Sequence, residues 1–262
     1  MKTRILSACL LGMAALNANA ASFLNGGFES GDLSGWAQGG GYWNDPYNYP
    51  NAGDPAMYQP GGSHYNASYI ANSVVGVGTD ARTGGALQTV KYGKYAARIN
   101  NSSNDYSVST IKQTVSNYDG SSINFAWAAV LEASHDATDS DSFALKVTDD
   151  TTGTVLYSKA YNSYSNGALF HYYSPYGAYY TDWQDVSLSV TQGHTFTITL
   201  LSADCPYGGH WGYAYLDGFG ATAGGPGDEG HGNKVPEPSG FALAGLAAFG
   251  AVFASRRRKQ VA

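Results

Sequence analysis

The chain has 262 residues, of which 43% are hydrophobic, 14% aromatic and only 13% charged, and its formal net charge is −6. The 34 glycines and the low content of Lys and Glu disfavour a helical bundle, whereas the many Thr, Val, Tyr and Phe residues suit β-strands. The aromatic content also excludes wholesale disorder, because so much bulky apolar surface can build a core. We therefore expect one all-β domain of about 200 residues with appended segments.

The first 20 residues have the order that is typical of a secretory signal peptide. Lys2 and Arg4 precede an apolar run over residues 5–16, and the run is followed by Ala18-Asn19-Ala20. An apolar run of this length is too short to span a bilayer, which takes about 17 to 25 residues. The pattern predicts export with cleavage after Ala20, and the alternative is a buried N-terminal helix.

The body, residues 21–223, contains segments in which apolar residues alternate with a period of two, as in strands with one face in a core. A turn at residues 149–153 joins two of them into a hairpin. In chain order the alternating rows are Tyr95, Ala97 and Ile99; Ile123, Phe125, Trp127, Ala129 and Leu131; Phe143, Leu145 and Val147; Val155 and Tyr157; Val186, Leu188 and Val190; Phe196, Ile198 and Leu200; and Tyr213, Tyr215, Asp217 and Phe219. Short strands without long helices between them predict an antiparallel β-sandwich of the jelly-roll type.

Two segments, residues 39–62 and 162–180, are rich in Tyr, Gly, Asn and Ser and are predicted to be long loops. Exposed aromatic rings beside adaptable polar residues make good contact surfaces, and sugars present C–H faces that stack on such rings. The sequence predicts glycan contacts at Trp43, Tyr47, Tyr172 and Tyr173. The alternative is that the tyrosines merely cover the ends of the sandwich with their hydroxyls in water.

The two ends of the body resemble a known architecture. Asn25-Gly26-Gly27-Phe28-Glu29-Ser30-Gly31 is similar to the opening of galactose-binding-like jelly rolls, which include many carbohydrate-binding modules, and Ala214-Tyr215-Leu216-Asp217-Gly218 is similar to their closing strand. The resemblance implies a structural calcium ion held between Glu29 and Asp217, with backbone carbonyls completing the oxygen ligands that calcium prefers. The alternative is that Glu29 accepts backbone N–H bonds in a turn and that Asp217 caps the end of a strand.

Several other polar residues are weaker candidates for a site. Asp136, Asp139 and Asp141 resemble a calcium loop only loosely, and a solvated turn is the alternative. The six histidines show no spacing typical of metal ligands, although His210 lies in a glycine-rich stretch where its ring can meet a carboxylate. Cys205 is the only cysteine left after signal cleavage, and it is either a small buried hydrophobe or a reactive thiol.

The C-terminal segment follows a Gly-rich linker at residues 224–234. It consists of Val235-Pro236-Glu237-Pro238, an apolar transmembrane segment at residues 240–255, and the basic residues Arg256, Arg257 and Arg258. This order resembles the PEP-CTERM sorting signal, also known as the ice-binding protein C-terminal domain, over residues 235–262. The resemblance implies that an exosortase recognises the chain while the segment lies transiently in the inner membrane of a Gram-negative bacterium.

The charge of the exported body narrows the function further. Residues 21–234 hold 8 Lys and Arg against 19 Asp and Glu, a net charge of about −11, which removes the electrostatic basis for binding nucleic acid or an anionic membrane. We predict a non-enzymatic protein of the cell envelope or extracellular matrix that binds or structures exopolysaccharide. The alternatives are a structural or adhesive surface protein with protein partners and, more remotely, a glycan-active hydrolase.

Overall fold

The structure is a computed structural model and describes residues 22–43, 53–165, 167–207 and 210–220. Within these ranges the chain forms twelve β-strands and five single-turn 3₁₀ helices, and no α-helix. The strands are β1 (Ala37–Tyr42), β2 (Ser73–Gly76), β3 (Tyr95–Ile99), β4 (Ser107–Val115), β5 (Ser122–Glu132), β6 (Ser142–Asp149), β7 (Thr154–Asn162), β8 (Phe170–Tyr173), β9 (Ala178–Thr181), β10 (Gln184–Ser189), β11 (Phe196–Ala203) and β12 (Gly212–Asp217).

The appended segments that the sequence predicts, residues 1–20 and 224–262, lie outside the described residues. The described part of the chain contains no helix with the length and apolar character of a membrane span.

The strands form two antiparallel sheets. The five-stranded sheet has the order β1-β4-β11-β6-β7, and the seven-stranded sheet has the order β2-β3-β12-β5-β9-β8, with β10 pairing along the first half of β5. Eight of these strands, in the orders β3-β12-β5-β10 and β4-β11-β6-β7, form the two facing four-stranded sheets of a jelly roll. The prediction of an all-β antiparallel sandwich is confirmed.

The core between the sheets is built from the alternating rows that the sequence shows. The inward side chains of β5, β6 and β11, among them Phe125, Leu145 and Ile198, are buried in one cluster. Trp127 of β5 stacks on Phe143 of β6 with ring centroids 4.8 Å apart. Each buried Leu, Ile or Phe side chain contributes about 1.5–3 kcal/mol to folding, so these rows are the main stabilising feature.

The outer face of the seven-stranded sheet is buried as well. Tyr213 and Tyr215 of β12 belong to a second cluster that includes Leu87 from the β2–β3 connection. The sequence placed both tyrosines, Asp217 and Phe219 in one row, and this is wrong for Phe219. Gly218 has a φ of 62°, which turns the chain so that Phe219 enters the main core instead.

The two predicted long loops are corrected by the structure, since each contains strands. Residues 39–42 belong to β1, where the backbone of residues 58–70 passes so close to the three glycines that a Cβ on any of them would collide. Residues 170–173 and 178–180 belong to the hairpin of β8 and β9. β4, which carries Ser, Thr, Lys and Gln between its apolar residues, was not predicted at all.

The two ends of the sandwich differ in what they carry. At the first, here called the proximal end, the chain enters and leaves the described body: the Phe219 N–H donates to the Gly26 carbonyl at 3.0 Å, and the Gly220 N–H donates to the Asn124 carbonyl at 2.8 Å. The opposite, distal end is formed by connections that the structure describes at residues 100–106, 133–141, 163–165, 167–169, 174–177, 204–207 and 210–211.

Candidate functional site

Exposed tyrosines gather at the distal end and on the strand ends beside it. Tyr172 on the edge strand β8 is 56% exposed, and its ring lies 4.8 Å from that of Tyr179 on β9. Among the described residues, the other exposed tyrosines in this part of the molecule include Tyr42, Tyr164, Tyr176 and Tyr207. We call Tyr172, Tyr176 and Tyr179 the tyrosine edge.

The predicted glycan-contact residues have different positions. Tyr172 is exposed as expected, and Tyr173 is half-buried, with its ring against Gly84 of the β2–β3 connection. Tyr47 lies outside the described residues.

Trp43 requires a correction, because it is not an exposed loop ring. Its side chain is 2% exposed and packs in a cluster with Tyr58, Val108 and Leu201 on the outer face of the five-stranded sheet. Its backbone N–H donates to the Tyr106 carbonyl at 3.0 Å. The Tyr-rich composition around Trp43 concealed the fact that the 3₁₀ segment at Pro55–Tyr58 folds over this sheet.

The turn of the β8–β9 hairpin displays Tyr176. The 3₁₀ helix Ser174–Tyr176 ends at Gly177, whose φ of 62° is accessible to glycine without strain. The guanidinium of Arg82 lies 4.8 Å from the ring centroid of Tyr176 and 4.8 Å from that of Trp211. The cation–π contact orients the ring of Tyr176, which is 44% exposed.

A buried carboxylate holds the segment that supports this surface. The hydroxyls of Tyr213 and Tyr215 each donate to Asp80 Oδ2 at 2.7 Å, and the Arg82 N–H donates to Oδ1 at 2.8 Å. Burial, followed by the charge of Asp80, raises the pKa of both tyrosines, so their hydroxyls stay protonated as donors. Asp80 thereby fixes the β2–β3 connection, in which Arg82 contacts Tyr176 of the tyrosine edge and Gly84 lies against Tyr173.

The distal end also contains a buried polar network around Asp204. Its carboxylate accepts hydrogen bonds from Asn100 Nδ2 at 3.0 Å and from the Ser107 N–H at 3.0 Å. Burial is the main cause that raises its pKa to about 8, against the opposing effect of the Ser107 N–H. The network joins the β3–β4 and β11–β12 connections and makes the distal end a rigid platform.

The three predicted acidic residues of the β5–β6 connection do not converge on one point. Asp136 accepts N–H bonds from Thr138 and Asp139 within its own turn, which lowers its pKa. Asp141 is fully buried and accepts a hydrogen bond from Ser134, and burial raises its pKa well above the usual value. Only Asp136 therefore matches the solvated turn that was the alternative to a calcium loop.

Asp139 belongs to a cluster of side chains with His135, Cys205 and His210, which the sequence did not indicate. Its carboxylate contacts His135 Nδ1 and lies 3.2 Å from the thiol of the buried Cys205. The thiol also lies 3.2 Å from His210 Nδ1. His135, Cys205 and His210 offer ligand atoms that all lie within 4.8 Å of one another, so they are able to hold a metal ion together.

Glu29 and Asp217 both bind the backbone of residues 91–95 at the proximal end. Glu29 accepts the N–H groups of Lys94 and Tyr95 at 2.9 and 3.1 Å, and Asp217 accepts those of Lys91 and Tyr92 at 2.9 and 2.8 Å. Burial raises the pKa of Asp217 to about 7, and the nearby charge of Glu29 adds to this. These contacts are those of the alternative without metal, while the calcium ion itself stays a prediction.

A groove of about 320 Å³ lies on the outer face of the five-stranded sheet, beside the 3₁₀ helix Pro55–Tyr58. Lys112, Lys146 and Lys159 line it together with Asp54 and Asp150, and no aromatic ring is among its lining residues in the described part of the chain. The groove therefore offers charge and hydrogen bonds but no surface for stacking.

No curated protein matches the chain at a significant level. Among solved structures it is similar to TmCBM61, determined with beta-1,4-galactotriose, at 17% identity and a TM-score of 0.39, over 76% of this chain and 97% of that one. It is also similar to CBM27-1 of Caldicellulosiruptor saccharolyticus, determined with mannohexaose, at 15% identity and a TM-score of 0.36, over 74% of this chain and 93% of that one. A third similar structure is CBM28, a module specific for non-crystalline cellulose, at 13% identity and a TM-score of 0.35, over 76% of this chain and 94% of that one.

The assignment of the fold rests on the strand order itself, since TM-scores below 0.5 support neither fold nor function. The family comparison identifies one segment of the chain. Residues 234–259 match the PEP-CTERM protein-sorting motif, in agreement with the Val235-Pro236-Glu237-Pro238 sequence and the basic tail. Next to its β-sandwich the chain therefore carries a PEP-CTERM protein-sorting motif, which indicates an exported protein that is sorted to the cell surface.

Proposed function

We propose that this exported protein binds a neutral polysaccharide of the envelope or extracellular matrix through the tyrosine edge. The observation that carries the proposal is the position of the tyrosine edge. It lies at the distal end, where a turn joins β8 and β9, whereas the chain continues toward the sorting motif from Gly220 at the proximal end. A body attached through its C-terminal side would therefore present these rings outward.

The chemistry of the tyrosine edge suits a sugar polymer. Tyr172 and Tyr179 offer two neighbouring rings at an interplanar angle of 41°, and Tyr176 offers a third, supported by Arg82. Tyrosine has an apolar face for the C–H groups of a sugar and a hydroxyl for hydrogen bonds, and it loses little conformational entropy on binding.

The net charge of the body favours a neutral polysaccharide over an acidic one. A body with a charge of about −11 repels a strongly acidic polysaccharide, whereas stacking on neutral sugars has no such cost. Binding should then be nearly independent of salt, and weak single sites should be strengthened along a polymer that offers many repeats.

The experiment is retention of the full chain on a panel of insoluble neutral polysaccharides. We expect Tyr172→Ala and Tyr176→Ala to lower retention several-fold with an unchanged melting temperature. Tyr95→Ala is the matched control, because Tyr95 is an exposed tyrosine on β3 at the proximal end.

Three results would contradict the proposal. The first is equal retention of the Tyr172, Tyr176 and Tyr95 variants, and the second is retention that falls steeply with salt. The third is binding by a surface protein of the same cell with no binding to any polysaccharide, which would favour the adhesive alternative. Turnover of a bound glycan would contradict the non-enzymatic assignment.

We further propose that an exosortase processes the chain at its C-terminal motif. The support is the match at residues 234–259 together with the apolar segment and the arginines that follow Val235-Pro236-Glu237-Pro238. Processing would deliver the sandwich to the matrix, where its polymer lies.

A further inference from the structure

We infer that His135, Cys205 and His210 form a binding site for a transition-metal ion, with Zn²⁺ as its metal. His135 lies in the connection at residues 133–141, whereas Cys205 and His210 lie in the connection described at residues 204–207 and 210–211, so only the fold brings His135 to the other two. The inference does not depend on glycan binding.

The distances between the three side chains fit one ion. Zn²⁺ takes a thiolate at about 2.3 Å and imidazole nitrogens at about 2.0–2.1 Å, so tetrahedral ligand atoms lie roughly 3.3–3.7 Å apart. Cys205 Sγ and His210 Nδ1 are 3.2 Å apart, and the rings of His135 and His210 meet edge to face with centroids 4.7 Å apart. Small rotations of the side chains would bring the ligand atoms to the required separations.

Asp139 has the role of a positioning residue. It is buried, and its carboxylate accepts the Nδ1–H of His135, which leaves Nε2 of that ring as the ligand atom. Histidines that bind metals commonly donate their second N–H to a carboxylate, which fixes the ring and makes the ligand more basic. The same carboxylate accepts the Tyr207 N–H at 3.3 Å and so ties the two connections together.

The local backbone is organised around the thiol. The Cys205 N–H donates to the His210 carbonyl at 2.8 Å, and the His135 N–H donates to the Asp139 carbonyl at 3.2 Å. Each connection is thus held by a backbone hydrogen bond of its own, independently of the contacts between the three side chains. A structure of this kind holds the ligands in place before the ion arrives, which reduces the entropy cost of binding.

The ligand types select the metal. A thiolate with two imidazoles is a borderline-soft set that suits Zn²⁺, whereas Ca²⁺ requires six to eight hard oxygen atoms. The side chain of His135 is 56% exposed, so solvent reaches the site and a water molecule can complete the coordination.

The test is titration of the reduced, metal-free full chain with Co²⁺, which reports its ligands by colour, followed by Zn²⁺. We expect one equivalent of Co²⁺ to produce the intense absorption of a tetrahedral site and a thiolate-to-cobalt charge-transfer band, and Zn²⁺ to displace it. Cys205→Ser should abolish the charge-transfer band, and His210→Ala or His135→Ala should weaken binding about tenfold or more.

The matched control is His171→Ala, because His171 also pairs with an aspartate, at 3.0 Å, but has no cysteine in the described part of its surroundings. It should titrate like the unmodified chain. Since His135 is exposed, His135→Ala keeps the test decisive even if Cys205→Ser does not fold. The inference is overturned if the charge-transfer band does not form, if Cys205→Ser and His135→Ala bind Co²⁺ as the unmodified chain does, or if His171→Ala loses binding to the same extent.

Discussion

Asp80→Ala should destabilise the domain by about 3 to 5 kcal/mol, although Asp80 lies in a connection and not in a strand. The substitution removes the common acceptor of the Tyr213 and Tyr215 hydroxyls, both of which are buried. A buried donor without its partner costs about 1–3 kcal/mol, so the two hydroxyls account for about 4 kcal/mol. Loss of the acceptor for the Arg82 N–H adds about 1 kcal/mol, and removing a buried charge offsets part of the total.

The assay is thermal unfolding followed by calorimetry, in which a domain of this size should melt roughly 10 °C lower. Asp54→Ala is the matched control, because Asp54 also accepts an N–H at the start of a 3₁₀ helix, from Ala56 at 2.9 Å, but is exposed. It should cost no more than about 1 kcal/mol.

A second variant isolates the physical cause. Adding Tyr213→Phe and Tyr215→Phe to Asp80→Ala removes the unpaired hydroxyls, so about 2 kcal/mol or more of the lost stability should return. The reasoning is refuted if the triple variant is no more stable than Asp80→Ala alone, or if Asp80→Ala is as mild as Asp54→Ala.

Four further predictions concern burial, protonation, calcium and sorting. Trp43→Ala should cost about 3–5 kcal/mol in urea unfolding, because its ring is buried, whereas Tyr172→Ala should change stability by no more than about 0.5 kcal/mol. Burial raises the pKa of Asp217 to about 7, so the native state binds the proton of this carboxyl more tightly than the unfolded chain does. The free energy of unfolding should therefore fall as the pH rises from about 4.5 to 7. If the free energy of unfolding of Asp217→Asn falls with pH just as steeply, this prediction is contradicted. Calcium added at a hundredfold excess over its Kd should stabilise the chelator-treated full chain by about 2.7 kcal/mol, and a full response in Glu29→Gln would exclude the proposed site. Deletion of residues 235–262 should release the folded body from membrane fractions, and persistent membrane association would argue against the sorting role.

The sequence by itself determined the features that depend on local order. The period-two rows of β3, β5, β6, β10 and β11 predict the strands because alternate side chains of a strand face opposite sides. The hairpin turn at residues 149–153 and the sorting motif are likewise contiguous patterns, and both were recognised. The jelly-roll sandwich followed from these short strands without helices between them.

The tertiary structure decided whatever depends on which segments meet. β1 was not predicted because three consecutive glycines have no side chains to show a pattern, and they form a strand where another segment lies directly against them. Trp43 has the composition of a surface loop around it, yet it is buried because the segment at Pro55–Tyr58 packs above it.

The candidate metal site illustrates the same limit most clearly. Cys205 and His210 are five positions apart, but His135 is 70 positions before Cys205 and has no short spacing to either of them. They meet because β5 and β12 are neighbours in one sheet, so that the connections at their distal ends come into contact. The ligand types are a property of the sequence, whereas their convergence is a property of the jelly-roll strand order.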